Sequence, residues 1–401
     1  MHTDQRLGRA DIADRIVGLV SEGRAGQPLL FCGPVGAGKE VTALGIARRL
    51  NCVDPDHCGQ PNPCESCRKA LTFQHPDIRW FGPAPAPLED QKNAPKVRAI
   101  FEAKMADPFH EPPFAATAQV LIGNPENPGP LTVRGLMQFV RRQSFQGRWK
   151  VAVVADAHRM NKAAANAFLK TLEEPPPATL LMLLTSRPSS LLPTIISRCQ
   201  KVNFEPYPED QLHDVMASLR PETDAVVRED AARLAGGDAR RALSLLEPEM
   251  QTLLAWSSAV FGEVNEGRGS VGQVAAEHLN AGFLPTPQED GSVNPRAGKT
   301  DDTAVRRRRA LVFCEMLGLL TGETLACASC GQNWQPRLAA QSAMVRRVAL
   351  VRRTASLLAD LERIERAKHD IDGNLNLGLV MAGLCEDLST HVRRDQVTTS
   401  A

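Results

Sequence analysis

Seven residues constrain this chain more than anything else in it. Gly33–Lys39 reads GPVGAGK, a match to G-x-x-x-x-G-K. It lies between a short apolar run, Leu29–Cys32, and a helical pattern carrying Val41, Leu44, Ala47 and Leu50. A glycine-rich turn from strand to helix aims backbone N–H groups at one point, where the helix N-terminus adds partial positive charge. Gly33, Gly36, Gly38 and Lys39 are therefore the candidate nucleotide-binding residues, with Lys39 reaching the outer phosphates. Such a loop needs a strand to feed it, so the expected fold class is α/β with a parallel sheet.

The rest of the first half agrees. Val151–Ala155, ended by Asp156, and Thr179–Thr185 are continuous apolar runs that suit strands buried on both faces. His75–Phe81 is a further strand candidate. Helices are expected over Ala10–Val20, over Leu131–Gln143, and from an Asn161 cap to Glu174, where Pro175 stops the pattern. Pro83–Pro87 and the proline-dense Pro108–Pro130 read as loops or an insertion around a short helix near Val97–Met105.

Beyond Pro206 the strand signals fade. Pro208–Glu247 reads as a small helical unit, and Gly262–Asp302, with seven glycines and three prolines, as a linker or insertion. Arg306–Leu320, Met344–Ile364 and Leu377–Leu388 are helical. In the second of these, Met344, Val348, Val351, Ala355, Leu358 and Leu361 form one apolar stripe. The expected domains are 1–205, 206–250, a linker over 251–303, and 304–401; 401 residues accommodate two to four domains of roughly 100–200 residues each.

A composition of 43% hydrophobic and 23% charged residues supports buried cores and excludes a disordered or collagen-like chain. The balance of 47 basic against 46 acidic side chains means that any nucleic-acid contact must come from local patches. Arg306–Arg309, and Arg346, Arg347, Arg352 and Arg353, are either such patches or solvated helix faces. The longest uncharged apolar run, Ala178–Leu184, falls far short of the ~20 residues that span a bilayer. The opening MHTDQRLGRAD has no apolar h-region. The expectation is a cytoplasmic protein with no membrane partner.

The phosphate loop departs from its pattern at the next residue. A Ser or Thr hydroxyl there would ligate Mg²⁺, but the residue is Glu40. At ~4–5 Å and an effective dielectric near 20, each unit of like charge costs roughly 3–4 kcal/mol against a phosphate. Glu40 could instead reach the metal or pair with Lys39. Thr42 is no substitute, since two residues along a helix turn ~200°. Asp156 suits the strand-end acid that holds Mg²⁺, yet Ala157 and His158 follow where many such ATPases carry a Glu that activates water. His158 reads as an exposed helix-start histidine, with proton acceptance as the alternative. Hydrolysis is not expected; binding of ATP or ADP is left open.

Cys52, Cys58, Cys64 and Cys67 cluster within sixteen positions, while Cys32, Cys199, Cys314, Cys327, Cys330 and Cys385 are scattered. Without a secretory signal, four thiols so close read as metal ligands rather than a disulfide framework. They suit a structural Zn²⁺ if the Gly59–Pro63 loop folds back, with His57 a competing donor and free thiols the alternative. A closed four-thiolate site has no open position for catalysis. Cys327-x-x-Cys330 has no second pair and reads as incidental.

Ala155–Pro176, ADAHRMNKAAANAFLKTLEEPP, followed by Leu192–Cys199, LPTIISRC, resembles the bacterial clamp-loader subunits of the AAA+ class. The cysteine cluster followed by His75-Pro76-Asp77 is a further mark of those subunits. The likeness covers Leu29–Glu247 and is weaker through Asn374–Leu388. The missing Glu makes it similar to the delta-prime branch of the DNA polymerase III subunits rather than to the ATP-hydrolysing gamma/tau branch. The resemblance implies a P-loop AAA+ parallel-sheet domain with an inserted zinc module, a small helical lid and an all-α C-terminal collar. It implies gamma/tau and delta subunits as partners in a hetero-pentamer, which loads a sliding clamp onto primed DNA within the DNA polymerase III holoenzyme. It gives Arg198, in Ser-Arg-Cys, the role of an arginine finger acting on a neighbour's ATP site. Thr185 matches a phosphate-sensing residue and Arg240 a second sensor. The family's cysteine spacing would put a ligand at Pro61 rather than Cys58, and Ala84–Pro130 is longer than usual. The alternative is a gamma/tau-like ATPase in which Glu40 and Asp156 share the Mg²⁺.

Overall fold

The computed structural model of the chain describes residues 8–24, 27–55, 58, 62–84, 94–110, 118–126, 129, 131–146, 148–266, 286–287, 293–294, 303–338, 340–373 and 375–399. The chain forms two compact units, Met1–Leu243 and Ser244–Ala401.

In the first unit, strands β1 (Leu29–Cys32), β2 (Ile78–Phe81), β3 (Lys150–Val154), β4 (Thr179–Thr185) and β5 (Gln200–Asn203) make one sheet in the order β2-β3-β4-β1-β5. All four pairings are parallel, with Leu30 opposite Leu183 and Val153 opposite Met182. A strand shows successive side chains to opposite faces, and the core divides accordingly. Leu29, Phe31, Val151, Val153, Leu180, Met182 and Leu184 pack on one face with Ile12, Ile16, Ile46 and Ala47. Those four partners lie on α1 (Ala10–Ser21) and α2 (Lys39–Leu50). Leu30, Cys32, Ala152, Val154, Leu181 and Leu183 pack on the other with Leu136, Phe139, Ala164, Phe168 and Leu172. Burial on both faces is why these strands read as unbroken apolar runs.

A short helix, α3 (Glu65–Leu71), follows the cysteine cluster, and α4 (Ala94–Ala106) fills 13 positions of the proline-rich stretch. Two helices cover the second face. Helix α5 (Val133–Arg141) starts at Thr132, whose hydroxyl accepts the Gly135 N–H, and α6 (Lys162–Glu173) starts at Asn161, which accepts the Ala164 N–H at 2.8 Å. A single turn, α7 (Pro193–Ile196), precedes β5. Three helices then follow: α8 (Glu209–Leu219), α9 (Ala225–Ala235) and α10 (Ala239–Leu245).

The second unit contains α11 (Pro248–Asn265), α12 (Thr303–Cys330), α13 (Ser342–Ala349), α14 (Thr354–Asp372) and α15 (Leu377–Thr399). Residues 251–265, at the head of the expected linker, are thus helix; most of Gly262–Asp302 lies outside the described residues. Helix α12 is long and apolar enough to cross a membrane by length and composition, but 56% of its apolar window is buried inside the protein. Ala310, Phe313, Cys314, Leu317 and Leu320 all lie in that buried part, and Phe313 meets Trp256 at 5.3 Å.

The expected helix Met344–Ile364 is instead two helices, broken at Leu350–Arg353. Its apolar stripe does not form a core. Of the stripe Val348 is buried while Val351 and Leu358 are exposed, and Val345, Leu357 and Ile364 are buried instead. The cause is Arg352, expected on a solvated or phosphate-contacting face and in fact buried. It donates to Asp395 at 2.8 Å, to Asp360 at 2.5 Å and to Asn265. A buried guanidinium must be paired, and satisfying it sets the register of the following helix.

Candidate functional site

The Gly33–Lys39 loop leaves the carboxyl end of β1, between β4 and β5, where open parallel sheets place their ligand crevices. Gly36 and Gly38 hold φ of +69° and +81°, a region that L side chains rarely enter. Gly38 caps α2 in that left-handed conformation, and the first turn of the helix, Lys39 to Val41, lines the cleft. The Lys39 ammonium donates to the Gly33 carbonyl at 2.8 Å and the Pro34 carbonyl at 2.5 Å. Burial, seconded by the nearby Arg240 charge, pushes its pKa down to about 8. The Thr42 hydroxyl donates to the Gly38 carbonyl at 2.7 Å and accepts the Arg9 N–H at 2.9 Å. It is buried and turned away from the cleft, as its helical position dictates.

A cleft opens over the loop, lined among others by Gly36, Gly38, Lys39, Glu40, Asp156 and Arg240. These six expected residues converge. Asp156 stands at the end of β3 in a left-handed conformation, φ +46°. The chain adds a residue that no spacing announces, Lys104 of α4. Its ammonium lies 2.7 Å from Oε1 of Glu40, with 5% of the side chain exposed. It also sits 5.2 Å over the Trp80 ring and donates to the His110 carbonyl at 3.3 Å. Glu40 is therefore paired with Lys104, not with Lys39. A carboxylate already held by an ammonium is a poor ligand for Mg²⁺, so the residues here do not fit the metal that a phosphate loop ordinarily uses.

Thr185 is fully buried at the end of β4. Its hydroxyl accepts the Arg187 N–H at 3.0 Å and lies 3.2 Å from Nδ1 of His158. His158 is thus a half-buried partner of Thr185 rather than an exposed helix-start residue, and burial lowers its pKa. Arg198 is not part of the cleft wall. It follows α7 with about a third of its side chain exposed, donating to Glu173 at 2.6 Å and to the Thr194 carbonyl at 2.9 Å.

The four cysteines do converge. The sulfurs of Cys52, Cys58, Cys64 and Cys67 all lie within 4.8 Å of one another, with Cys52 and Cys64 at 3.9 Å. A tetrahedral zinc with Zn–S of ~2.3 Å spaces its sulfurs ~3.8 Å apart, so the set fits Zn²⁺. Burial raises the Cys64 pKa. N–H donors from Cys67 and Val53 and the neighbouring thiols outweigh it and bring the group to about 6, close to the thiolate a metal needs. Burial moves Cys52 and Cys67 upward. His57 lies outside the described residues. Cys327 is buried near the end of α12 and Cys330 exposed; neither joins a metal-ligating group among the described residues.

A buried network ties this module to the sheet. Nδ1 of His75 accepts the Asp77 N–H at 3.0 Å, which leaves the neutral ring's proton on Nε2. That nitrogen lies 3.0 Å from the Ser66 hydroxyl and 3.1 Å from Oε1 of Gln146, and Ser66 donates to the Asn51 carbonyl. The Asp77 carboxylate accepts the Phe145 and Gln146 N–H groups at 2.8 and 2.9 Å and faces Lys150 at 3.3 Å. Burial acts against the charge of Asp77, but these donors prevail and hold its pKa below the usual carboxylate range. The His75-Pro76-Asp77 motif is therefore a structural latch between β2, the turn before β3 and the helix that carries Cys67.

The family model described as "DNA polymerase III, delta subunit" matches residues 8–128 and 129–208, half of the chain. DNA polymerase III subunit delta' of Pseudomonas aeruginosa is 31% identical over 209 residues, 52% of each chain. The delta' subunit of Bacillus subtilis is 27% identical over 198 residues, 49% of this chain and 47% of that one. DNA polymerase III subunit gamma/tau of Mycobacterium tuberculosis is 28% identical over 246 residues, 60% of this chain and 36% of that one. The chain thus spans about half the length, or less, of these curated relatives. A DNA polymerase III gamma subunit-related protein of Thermotoga maritima superposes with a TM-score of 0.41 at 17% identity, covering 95% of this chain and 99% of that one. On the family match, which runs from the first described helix past β5, this chain belongs to the DNA polymerase III, delta subunit family.

Proposed function

We propose that this chain is a clamp-loader subunit of DNA polymerase III that hydrolyses no ATP itself and lends Arg198 to the nucleotide site of a neighbouring gamma/tau-type subunit. The observation that carries this reading is the Glu40–Lys104 pair. It takes up the side chain at the position of the usual Mg²⁺ ligand, and no Glu follows Asp156 to activate water. The rival reading, a gamma/tau-like ATPase with Glu40 and Asp156 sharing Mg²⁺, would need the carboxylate that Lys104 holds.

In this reading 1–205 is the AAA+ P-loop domain, with the zinc module over about 52–67. Residues 206–250 are its helical lid and 304–401 the collar that joins the other subunits. The partners are gamma/tau and delta subunits, and the assembly opens a sliding clamp and places it on primed DNA. Arg198 suits the finger role chemically. A guanidinium binds phosphate oxygens as a planar fork, and a finger supplied in trans makes hydrolysis depend on assembly. Glu173 and the Thr194 carbonyl now hold all three guanidinium nitrogens, so docking on a neighbour's phosphates requires Arg198 to exchange Glu173 for them. Zn²⁺ on the four cysteines is structural. The test is steady-state ATP turnover by the purified chain and by the reconstituted complex, with Arg198 intact and replaced.

A further inference from the structure

Arg198 and Glu173 stand on elements that share one core. Phe168 and Leu172 of α6 and Ile195 of α7 are fully buried in the same apolar cluster, so the end of α6 and the residues after α7 are fixed against each other. Nε of Arg198 donates to Oε1 of Glu173 at 2.6 Å and Nη2 reaches the same oxygen, while Nη1 donates to the Thr194 carbonyl at 2.9 Å. The edge formed by Nε and Nη2 is one with which a guanidinium grips two oxygens of a phosphate. Here a single carboxylate oxygen fills it. Glu173 is the last residue of α6, at the negative pole of the helix, where the dipole disfavours a carboxylate. The cation that offsets it there is Arg198.

We infer that Glu173 is a positioning residue that clasps the arginine finger and holds it in reserve until a neighbour's triphosphate displaces the carboxylate. This rests on the proposed finger role of Arg198 and adds its regulation. A terminal phosphate carries roughly two negative charges against the carboxylate's one, and it takes the Nε and Nη2 donors on separate oxygens. It therefore wins the guanidinium once the two chains are docked, and not before. The two side chains keep 32% and 46% of their surface in solvent, so water reaches both partners and the clasp is weak enough to open. The fraction of chains with a released finger scales the activity of the neighbouring site. Glu173 thus throttles hydrolysis from the side that supplies the finger, without touching nucleotide itself.

The test is steady-state ATP turnover by the reconstituted complex, without clamp or DNA, carrying the unaltered full-length chain, Glu173→Gln, Glu173→Ala, Arg198→Ala, or Glu173→Gln with Arg198→Ala. Glu173→Gln keeps the shape and removes the charge; Glu173→Ala removes the acceptor and suits a helix end. The expected result is a rise in turnover of about two- to fivefold with either Glu173 variant, the range that a part-exposed ion pair commands. The double variant should show none of that rise. Affinity of the Glu173→Gln chain for a gamma/tau-type subunit loaded with a non-hydrolysable triphosphate should tighten by the same about two- to fivefold. A Glu173 that merely supports the fold gives loss in these assays, not gain. Turnover that stays level or falls in either Glu173 variant overturns the inference. That failure is separable from failure of the reading beneath it. A complex that needs Arg198 but gains nothing from the Glu173 variants sinks only the clasp, whereas turnover indifferent to Arg198→Ala sinks the finger assignment itself.

Discussion

The ammonium of Lys104 and the carboxylate of Glu40 meet at 2.7 Å on the wall of the phosphate-loop cleft. The position that seemed to spoil the loop by repulsion is in fact neutralised by a side chain from another helix. Lys104→Ala strands a carboxylate that is only 23% exposed. The expected loss is about 1–3 kcal/mol, less than the ~3–5 kcal/mol of a fully buried pair because water reaches Glu40. Urea unfolding of the single variant checks this, and adding Glu40→Gln in the same chain should return much of the loss.

The four sulfurs, crowded within 4.8 Å, predict one tightly held zinc per chain. Elemental analysis of protein purified without added metal reads it directly. Cys64→Ser should drop the zinc content and destabilise the first unit by roughly 3 kcal/mol, ~6–12 °C in its melting temperature. A chain that arrives with no zinc and melts the same as the variant contradicts the metal assignment.

His75 offers a pH test. Burial lowers its pKa below the ordinary ~6.5, so the folded unit prefers the neutral ring. A depressed folded pKa contributes stability that is complete above the unfolded value and lost as pH falls. The first unit should therefore melt progressively earlier as pH falls below about 6.5. His75→Asn keeps an acceptor near Nδ1 for the Asp77 N–H without the titrating ring. The difference between the two melting curves against pH isolates this residue, and parallel curves would remove it from the account.

In the second unit, Arg352 is paired with Asp360 and Asp395, and His391 approaches Asp360 at 2.6 Å. Arg352→Met leaves two buried carboxylates without their cation. It should cost about 3–5 kcal/mol, measured as loss of helical circular dichroism in urea. Replacing the group together, with Asp360→Asn and Asp395→Asn beside Arg352→Met, should cost less than the single change.

Much of this was legible in the sequence where one physical signal dominates. Strands β1, β3 and β4 are buried on both faces and so read as apolar runs. Asn161 announces its helix because only a short polar side chain can satisfy the free N–H of that first turn. The cysteine cluster is short-range and survives any fold. Strand β5 went unread because only Val202 of Gln200–Asn203 is buried, leaving no pattern at the sheet edge. Lys104 was invisible because its partner lies on a distant helix, and a lysine in a proline-rich stretch looks like any solvated one. The break at Leu350–Arg353 contains neither proline nor glycine. Its cause is a charge network assembled from three separate segments, which periodicity cannot see.

The central claim is that this chain supplies a guanidinium to a neighbour's phosphates and does no hydrolysis of its own. Steady-state ATPase of the reconstituted complex, with the unaltered chain or with Arg198→Ala, tests it most directly. The account predicts no turnover by the isolated chain and a loss of roughly 10³-fold at the neighbouring site when Arg198 is replaced. Brisk turnover by the isolated chain, or complex activity indifferent to Arg198, would contradict it.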